Sequence, residues 1–365
     1  MKIITVLGTR PEIIRLSLII NKLDQLADKH ILIHTGQNFT NTLSSIFFKE
    51  LGIRDPDYML FNQQQSLGEQ LATMYRELEI IFKKEMPDKV LVLGDTNSAL
   101  SAILAERMGI PVVHMEAGNR CFDWSVPEEK NRRVIDAISS FNLPYTPQSK
   151  ENLLREGIAT NRVYVSGNPI NEVLRHNRQK ITESTILKDL QLKEKDYFLI
   201  TAHRAENVDN DENLKEILQG INHVAKTHGK RMICSVHPRT KSRLAHLKGI
   251  ELHPLIEFHE PFGFFDFVKL EQNAICVLTD SGTVQEECCL FHVPTVTIRK
   301  TTERPETIAC GSNIVSGLDA TNILRAVNVM VSQPSEWDLP EGYGDVAVSD
   351  KVVKFLMGGL HVVPQ

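Results

Sequence analysis

The chain has 365 residues, 42% of them hydrophobic and 24% charged, with a formal net charge of -5. These proportions suit a globular protein, and an acid excess without any long basic run gives no support for a nucleic-acid partner or a polybasic membrane tether. No uninterrupted apolar segment approaches the roughly 20 residues that a membrane-spanning helix needs, so no membrane partner is expected.

The opening residues Met1 to Gly8 carry one lysine and a short apolar stretch that ends in a turn, the pattern of a first β-strand rather than a secretory signal. A cytosolic protein is therefore expected. Further strands are predicted at His30 to Thr35, Lys89 to Leu93, Pro111 to Met115 and Phe141 to Leu143. Helical periodicity lies between them, at Ile13 to Asp28, Asn41 to Gly52, Ser66 to Glu85, Asn97 to Met108 and Glu129 to Ser139. Such alternation predicts a parallel α/β sheet covered on both faces.

The pattern restarts in the second half. Val163 to Ser166, Tyr197 to Ala202, Met232 to His237, Ala274 to Thr279 and Thr295 to Arg299 read as strands, with helices at Glu212 to His228 and Val284 to Phe291. Two doubly wound domains facing a central cleft are expected, with the polar stretch Asn168 to Lys195 as the hinge region and a short helix at Ser349 to Met357 returning to the first domain. Six cysteines, at 121, 234, 276, 288, 289 and 310, show neither CxxC spacing nor a partner His pair. They read as structural thiols, and no metal site is expected.

Candidate chemistry collects where strands end, the edge at which open α/β sheets bind ligands. At Gly8-Thr9-Arg10-Pro11-Glu12 a glycine leaves a strand and a proline enters a helix. The helix start and Arg10 suit a phosphate, although a plain structural turn would look the same. Asp95, after Val90 to Leu93, is either an N-cap or a cleft carboxylate, since Thr96 or Asn97 can cap as well. Glu116 ends an apolar strand before Ala117-Gly118, where a partly desolvated carboxylate suits acid–base work. Glu128, after Pro127, is favoured over Glu129 to point into the crevice, Glu129 being assigned only to the helix dipole.

In the second half, His203 stands beside Arg204 at the end of a strand, and His237 is a weaker counterpart. Ser281-Gly282-Thr283 opens another helix after Asp280, fit for a second phosphate or a ribose, with Glu287 one turn in to accept sugar hydroxyls. Of Phe262, Phe264, Phe265 and Phe267, most are expected in the core and one against a base. The GxGxxG fingerprint does not follow Gly8 and GxxxxGK[ST] does not occur, so neither a nicotinamide cofactor nor a P-loop is indicated. The remaining fit is a diphosphate ligand that carries a neutral polyol.

Taken in order, GTRPE, HTGQN, GDTNS, HMEAGNR, PEEKNR, TAHRAEN, TDSGTVQEE and TTERPE resemble the non-hydrolysing UDP-N-acetylglucosamine 2-epimerase family from Gly8 to Glu306. The resemblance implies a GT-B-like fold of two Rossmann-like domains, at 1–167 and 168–345 with a terminal segment 346–365, a homodimer, and UDP and a UDP-activated 2-acetamido sugar as ligands. It places the catalytic carboxylates on Asp95, Glu116 and Glu128. UDP contacts fall on Arg10, His203, Ser281 and Glu287, with Phe267 near the uracil and Arg132 near the site.

RPEIIRLS at 10–17, HMEAGNRCFD at 114–123, NLPYT at 142–146 and PFGFFD at 261–266 resemble more closely the branch that forms UDP-N-acetyl-L-fucosamine from UDP-2-acetamido-2,6-dideoxy-L-talose. Arg15, Asn119 and Thr283 stand where glucosamine epimerases usually carry lysine, leucine and glycine. Interconversion of UDP-N-acetylglucosamine and UDP-N-acetylmannosamine is the alternative within the family, and a GT-B glycosyltransferase or a UDP-sugar sensor the alternatives outside it. The epimerisation is redox-neutral, so no cofactor is expected.

Overall fold

The computed structural model describes residues 1–37, 41–60, 66–202, 204, 207, 210–236 and 251–358. The chain divides into two compact units between His176 and Asn177, and again between Pro340 and Glu341, where it returns to the first.

In the first unit β1 (Lys2–Leu7) leads into α1 (Arg10–Leu26), followed by β2 (Lys29–His34), α2 (Asn41–Glu50), β3 (Tyr58–Met59), α3 (Leu67–Glu85) and β4 (Lys89–Leu93). A 3-10 turn, Ser98–Leu100, runs into α4 (Ser101–Arg107). Then come β5 (Val112–Met115), α5 (Pro127–Ile138), β6 (Phe141–Leu143), α6 (Pro147–Arg155) and α7 (Ile170–His176). The six strands lie parallel in the order β3-β2-β1-β4-β5-β6. Ile4 stands opposite Ile31 on one side and Val90 on the other.

This order reverses direction between β1 and β4, and a crevice opens at the carboxyl ends of strands at such a point. Strands covered on both faces need continuous apolar sequence, which Ile-Ile-Thr-Val-Leu and Val-Leu-Val-Leu supply. One face packs on Leu78 and Phe82 of α3 and Ile135 of α5. Along α1 the buried positions are Ile13, Leu16, Ile19, Ile20 and Leu23.

The second unit contains α8 (Arg178–Glu183), α9 (Ile186–Asp189), β7 (Tyr197–Thr201), α10 (Asp211–His228), β8 (Arg231–Ser235), β9 (Ile256–His259) and α11 (Phe264–Asn273). It continues with β10 (Val277–Thr279), α12 (Gly282–Phe291), β11 (Thr295–Thr297), α13 (Pro305–Ala309), β12 (Asn313–Val315) and α14 (Ala320–Ser332). Its parallel sheet, β12-β11-β10-β7-β8-β9, repeats the winding of the first, with the reversal between β7 and β10. The chain therefore has two Rossmann-like units, each with its own switch point. The last described helix, α15 (Val348–Met357), lies in the first unit, where Lys22 of α1 donates to Ser349 (2.7 Å) and Asp350 (2.5 Å).

One local expectation is corrected. Val163 to Ser166 is not a strand: beside β6 it makes a single bridge, Asn142 to Val163, with Tyr164 N–H donating to Asn142 and Ser166 N–H to Pro144. The polar stretch Asn168 to Lys195 holds three short helices, α7, α8 and α9, which bury Ile170, Val173, Ile181 and Ile186. Among the described residues no helix is long and apolar enough to cross a membrane.

Candidate active site

In the first unit the chain leaves β1 through Gly8, where an added Cβ would lie 2.2 Å from both Ser98 Oγ and Thr35 Oγ1. Only glycine lets β1, β2 and the 3-10 turn meet so closely. Glu12 then ties the turn together. Its Oε2 accepts from Gly8 N–H (3.0 Å), Thr9 N–H (2.7 Å) and Thr9 Oγ1 (2.7 Å), and its Oε1 accepts from Thr96 Oγ1 (2.9 Å) after β4. Two amides of this strand-to-helix turn are thus occupied by the Glu12 carboxylate, and Arg10 stands beside them at the start of α1. The Arg10 guanidinium is half-buried 5.7 Å over the Phe47 ring, and burial lowers its pKa from the usual arginine value.

Burial pushes the Glu12 carboxyl from about 4.5 up to about 7, against the donors that favour its ionised form. The folded chain therefore holds a proton that the unfolded chain has released, and Glu12 opposes folding increasingly as pH rises between those two values. Glu12→Gln can still accept from the Gly8 and Thr9 amides, and can donate to the Thr96 hydroxyl. It is expected to gain about 2 to 3 kcal/mol relative to wild type between about pH 5 and about pH 8. Urea unfolding at the two pH values measures this, and an unchanged difference would refute it.

After β4, Thr96 takes the capping bond, accepting from Ala99 N–H (3.3 Å). Asp95 instead pairs with Arg132 of α5, while Asn131 donates to the Asp95 carbonyl (2.9 Å). At the end of β5, Glu116 adopts a left-handed backbone (φ 63), uncommon for a residue other than glycine and a recurrent feature of functional sites. Its buried side chain pairs with buried Arg15 of α1. An ideal Cβ on Gly94 would lie 3.9 Å from the Glu116 carboxyl, which places that group beside the turn bearing Asp95. His114, fully buried, joins both turns: Nε2 lies 2.8 Å from the Gly94 carbonyl and Nδ1 2.9 Å from Asp136, which also accepts from Gly118 N–H (3.2 Å).

Glu128 and Glu129 open α5. Glu129 does more than complement the dipole: fully buried, it accepts from Cys121 N–H (3.0 Å), Arg132 (3.2 Å) and Arg133 (3.2 Å). Glu128 is half-buried, and its Oε2 has no hydrogen-bond partner among the described residues. Two carboxylates of the predicted trio are thus each held by a guanidinium, while the third keeps a buried oxygen without a partner among the described residues.

In the second unit Asp280, at the end of β10, accepts from Arg204 N–H (2.9 Å) and Asn207 (3.0 Å). Arg204 donates to Glu303 (2.8 Å), which also accepts from Arg299 (2.7 Å), and Arg304 pairs with Glu286. Ser281 precedes the first residue of α12, and Gly282 lies so near Glu303 and Arg304 that a Cβ would come within 2.9 Å of the Glu303 carboxylate. Ser281 and Thr283 remain half-buried, whereas Glu287 is buried. Burial and the neighbouring Glu287 carboxylate hold Glu271 well above the carboxylate range. Phe264 is core, and Phe267 packs partly buried against the cluster that contains Tyr197 and Leu270. His203 and His237 lie outside the described residues. Among those described, no group of three or more His, Cys, Asp or Glu is placed to hold a metal ion.

The partners missed in the sequence are Glu12, Arg15, Arg204 and the Glu303 and Arg304 pair. Two had signals: Thr9-x-x-Glu12 is capping-box spacing, and Arg15 interrupts the apolar run Ile13-Ile14-Arg15-Leu16.

A family model described as UDP-N-acetylglucosamine 2-epimerase matches residues 21–357. The UDP-N-acetylglucosamine 2-epimerase of Methanocaldococcus jannaschii is 42% identical over 375 residues, covering 99% of this chain and 100% of that one. A UDP-2,3-diacetamido-2,3-dideoxy-D-glucuronate 2-epimerase of Pseudomonas aeruginosa is 32% identical, covering 98% and 99% of the respective chains. The crystal structure of the M. jannaschii UDP-GlcNAc 2-epimerase with UDP-GlcNAc and UDP matches with a TM-score of 0.91 at 41% identity, over 98% of this chain and 99% of that one.

Proposed function

Since this chain belongs to the UDP-N-acetylglucosamine 2-epimerase family and is a non-hydrolysing UDP-sugar 2-epimerase, we propose that it inverts C2 by eliminating UDP and adding it back. The C2 hydrogen of a pyranosyl ring has no neighbouring carbonyl and is too weakly acidic for a carboxylate to remove directly. Departure of UDP from C1 gives that carbon oxocarbenium character and makes the adjacent hydrogen removable, leaving a 2-acetamidoglycal. Arg10, His203, Ser281, Gly282 and Thr283 are assigned to the nucleotide, where cations and helix-start amides stabilise the leaving diphosphate. Phe267 is assigned to the uracil and Glu287 to the ribose hydroxyls.

Inversion requires the proton to leave one face and return to the other, so two acid–base groups are needed. The observation that carries this reading is the trio Asp95, Glu116 and Glu128 around the ends of β4 and β5 and the start of α5, two of them held by Arg132 and Arg15. The unclaimed Glu128 oxygen is assigned to proton exchange, opposite a base drawn from the two arginine-held carboxylates. Turnover in heavy water is expected to place deuterium at C2 of the product, read by NMR. Product that retains its original hydrogen would refute elimination.

The substrate we assign is UDP-2-acetamido-2,6-dideoxy-L-talose, giving UDP-N-acetyl-L-fucosamine for capsule or O-antigen synthesis in the cytosol, with the enzyme acting as a homodimer. The motifs around Arg15, Asn119 and Thr283 support this. A second reading, interconversion of UDP-N-acetylglucosamine and UDP-N-acetylmannosamine, is favoured by the 42% identity to the archaeal enzyme. An NMR time course with each nucleotide sugar decides between them, and light scattering tests the dimer.

A further inference from the structure

Two of the six cysteines stand apart from the rest. Cys289 lies in the last turn of α12 and Cys310 just after α13, 21 residues on, yet their sulfurs are 3.8 Å apart. Cys289 is buried and Cys310 half-buried. The Cys310 sulfur is also 3.3 Å from Ser312 Oγ. Hydrogen bonding with Cys289 and Ser312 lowers the Cys310 thiol from its usual value, which favours its thiolate. The other thiols of this unit contrast with it: Cys234, Cys276 and Cys288 are fully buried, and burial raises all three.

We propose that Cys289 and Cys310 form a reversible disulfide, made by exchange with a low-molecular-weight disulfide, that clamps the end of α12 to the end of α13. The Cys310 thiolate attacks one sulfur of oxidised glutathione and expels one glutathione thiolate, leaving a mixed disulfide. Cys289 gives up its proton to solvent and attacks the Cys310 sulfur, and the second glutathione leaves. Two protein thiols are oxidised and one external disulfide is reduced to two thiols. A disulfide needs its sulfurs at about 2 Å, so the pair, now 3.8 Å apart, must close by about 2 Å on oxidation. The clamped segment begins beside Glu303 and Arg304, whose partners Arg204 and Glu286 flank the start of α12, so the bond fastens the far end of the framework that presents Ser281 to Thr283.

The full-length enzyme is incubated with oxidised glutathione near neutral pH and analysed by intact mass and peptide mapping. Wild type is expected to lose two hydrogen masses, with Cys289 joined to Cys310, and to return to its starting mass with a dithiol reductant. Cys289→Ser removes the resolving thiol and should accumulate one glutathione on Cys310, whereas Cys310→Ser should take up none at Cys289. The thermal midpoint of the oxidised wild type should rise by about 5 °C and fall back on reduction. A wild-type chain that stays reduced, or that stops at the glutathione adduct, would overturn the pairing. A closed bond that leaves the midpoint unchanged or lower would overturn the clamp.

Discussion

Replacing Glu116 with Gln is expected to lower kcat by about a thousand-fold or more, within the range contributed by a positioned acid–base group, while UDP affinity stays within about two-fold. The change keeps size and shape and removes only the charge. Gln accepts the left-handed backbone at this position (φ 63) about as well as Glu does, so the turn before Gly118 should survive. The cost falls on Arg15, buried against Glu116 and left facing a neutral amide. Removing one partner of a buried ion pair typically destabilises by about 3 to 5 kcal/mol, and the retained amide oxygen should hold the loss near the low end. Activity by NMR, UDP binding by calorimetry and urea unfolding must therefore be read together. Lost turnover with intact UDP binding assigns the residue to the chemistry, whereas activity within tenfold of wild type would remove it from the reaction.

That experiment separates what was legible in the sequence from what was not. β1 and β4 were readable because a strand buried on both faces needs a near-continuous apolar run, which Ile3 to Leu7, broken only by Thr5, and Val90 to Leu93 supply. The residues just beyond those strands were readable for the same reason, since the sheet's winding dictates where its carboxyl edge lies. Three of the four edge strands were not, although the edge strand Phe141–Leu143 was. Tyr58–Met59 has two residues, and Ile256–His259 is half-buried all along, too brief or too mixed to leave a pattern. Asn313–Val315 has only three residues.

The cations were illegible for a different reason. Arg15 meets Glu116 across 101 residues and Arg132 meets Asp95 across 37, so each pairing arises only when separate helices dock on one sheet. Asp95 itself is open between cap and site in the sequence, and in the structure Thr96 takes the Ala99 amide while Asp95 pairs with Arg132.

Replacing Arg132 with Met should be the most destabilising single change at this site, by about 3 to 5 kcal/mol, because it leaves two carboxylates without their shared cation. Arg132 joins Asp95 on the β4 turn to Glu129 at the start of α5, and both its own side chain and that of Glu129 are buried. Glu129 retains Arg133 (3.1 Å) as a partner, whereas Asp95 loses the cation it pairs with. Arg132→Lys restores one positive charge without the planar fork that reaches both carboxylates, so it should recover part of the stability and less of the activity. If Arg132 acts through Asp95, its loss lowers kcat by about a hundred-fold, and combining Arg132→Met with Asp95→Asn adds little to either change alone. A coupling energy of about 1 kcal/mol or more in that cycle is the expected result. Fully additive losses in kcat would mean that Arg132 supports the fold of the first unit and that Asp95 is positioned without it.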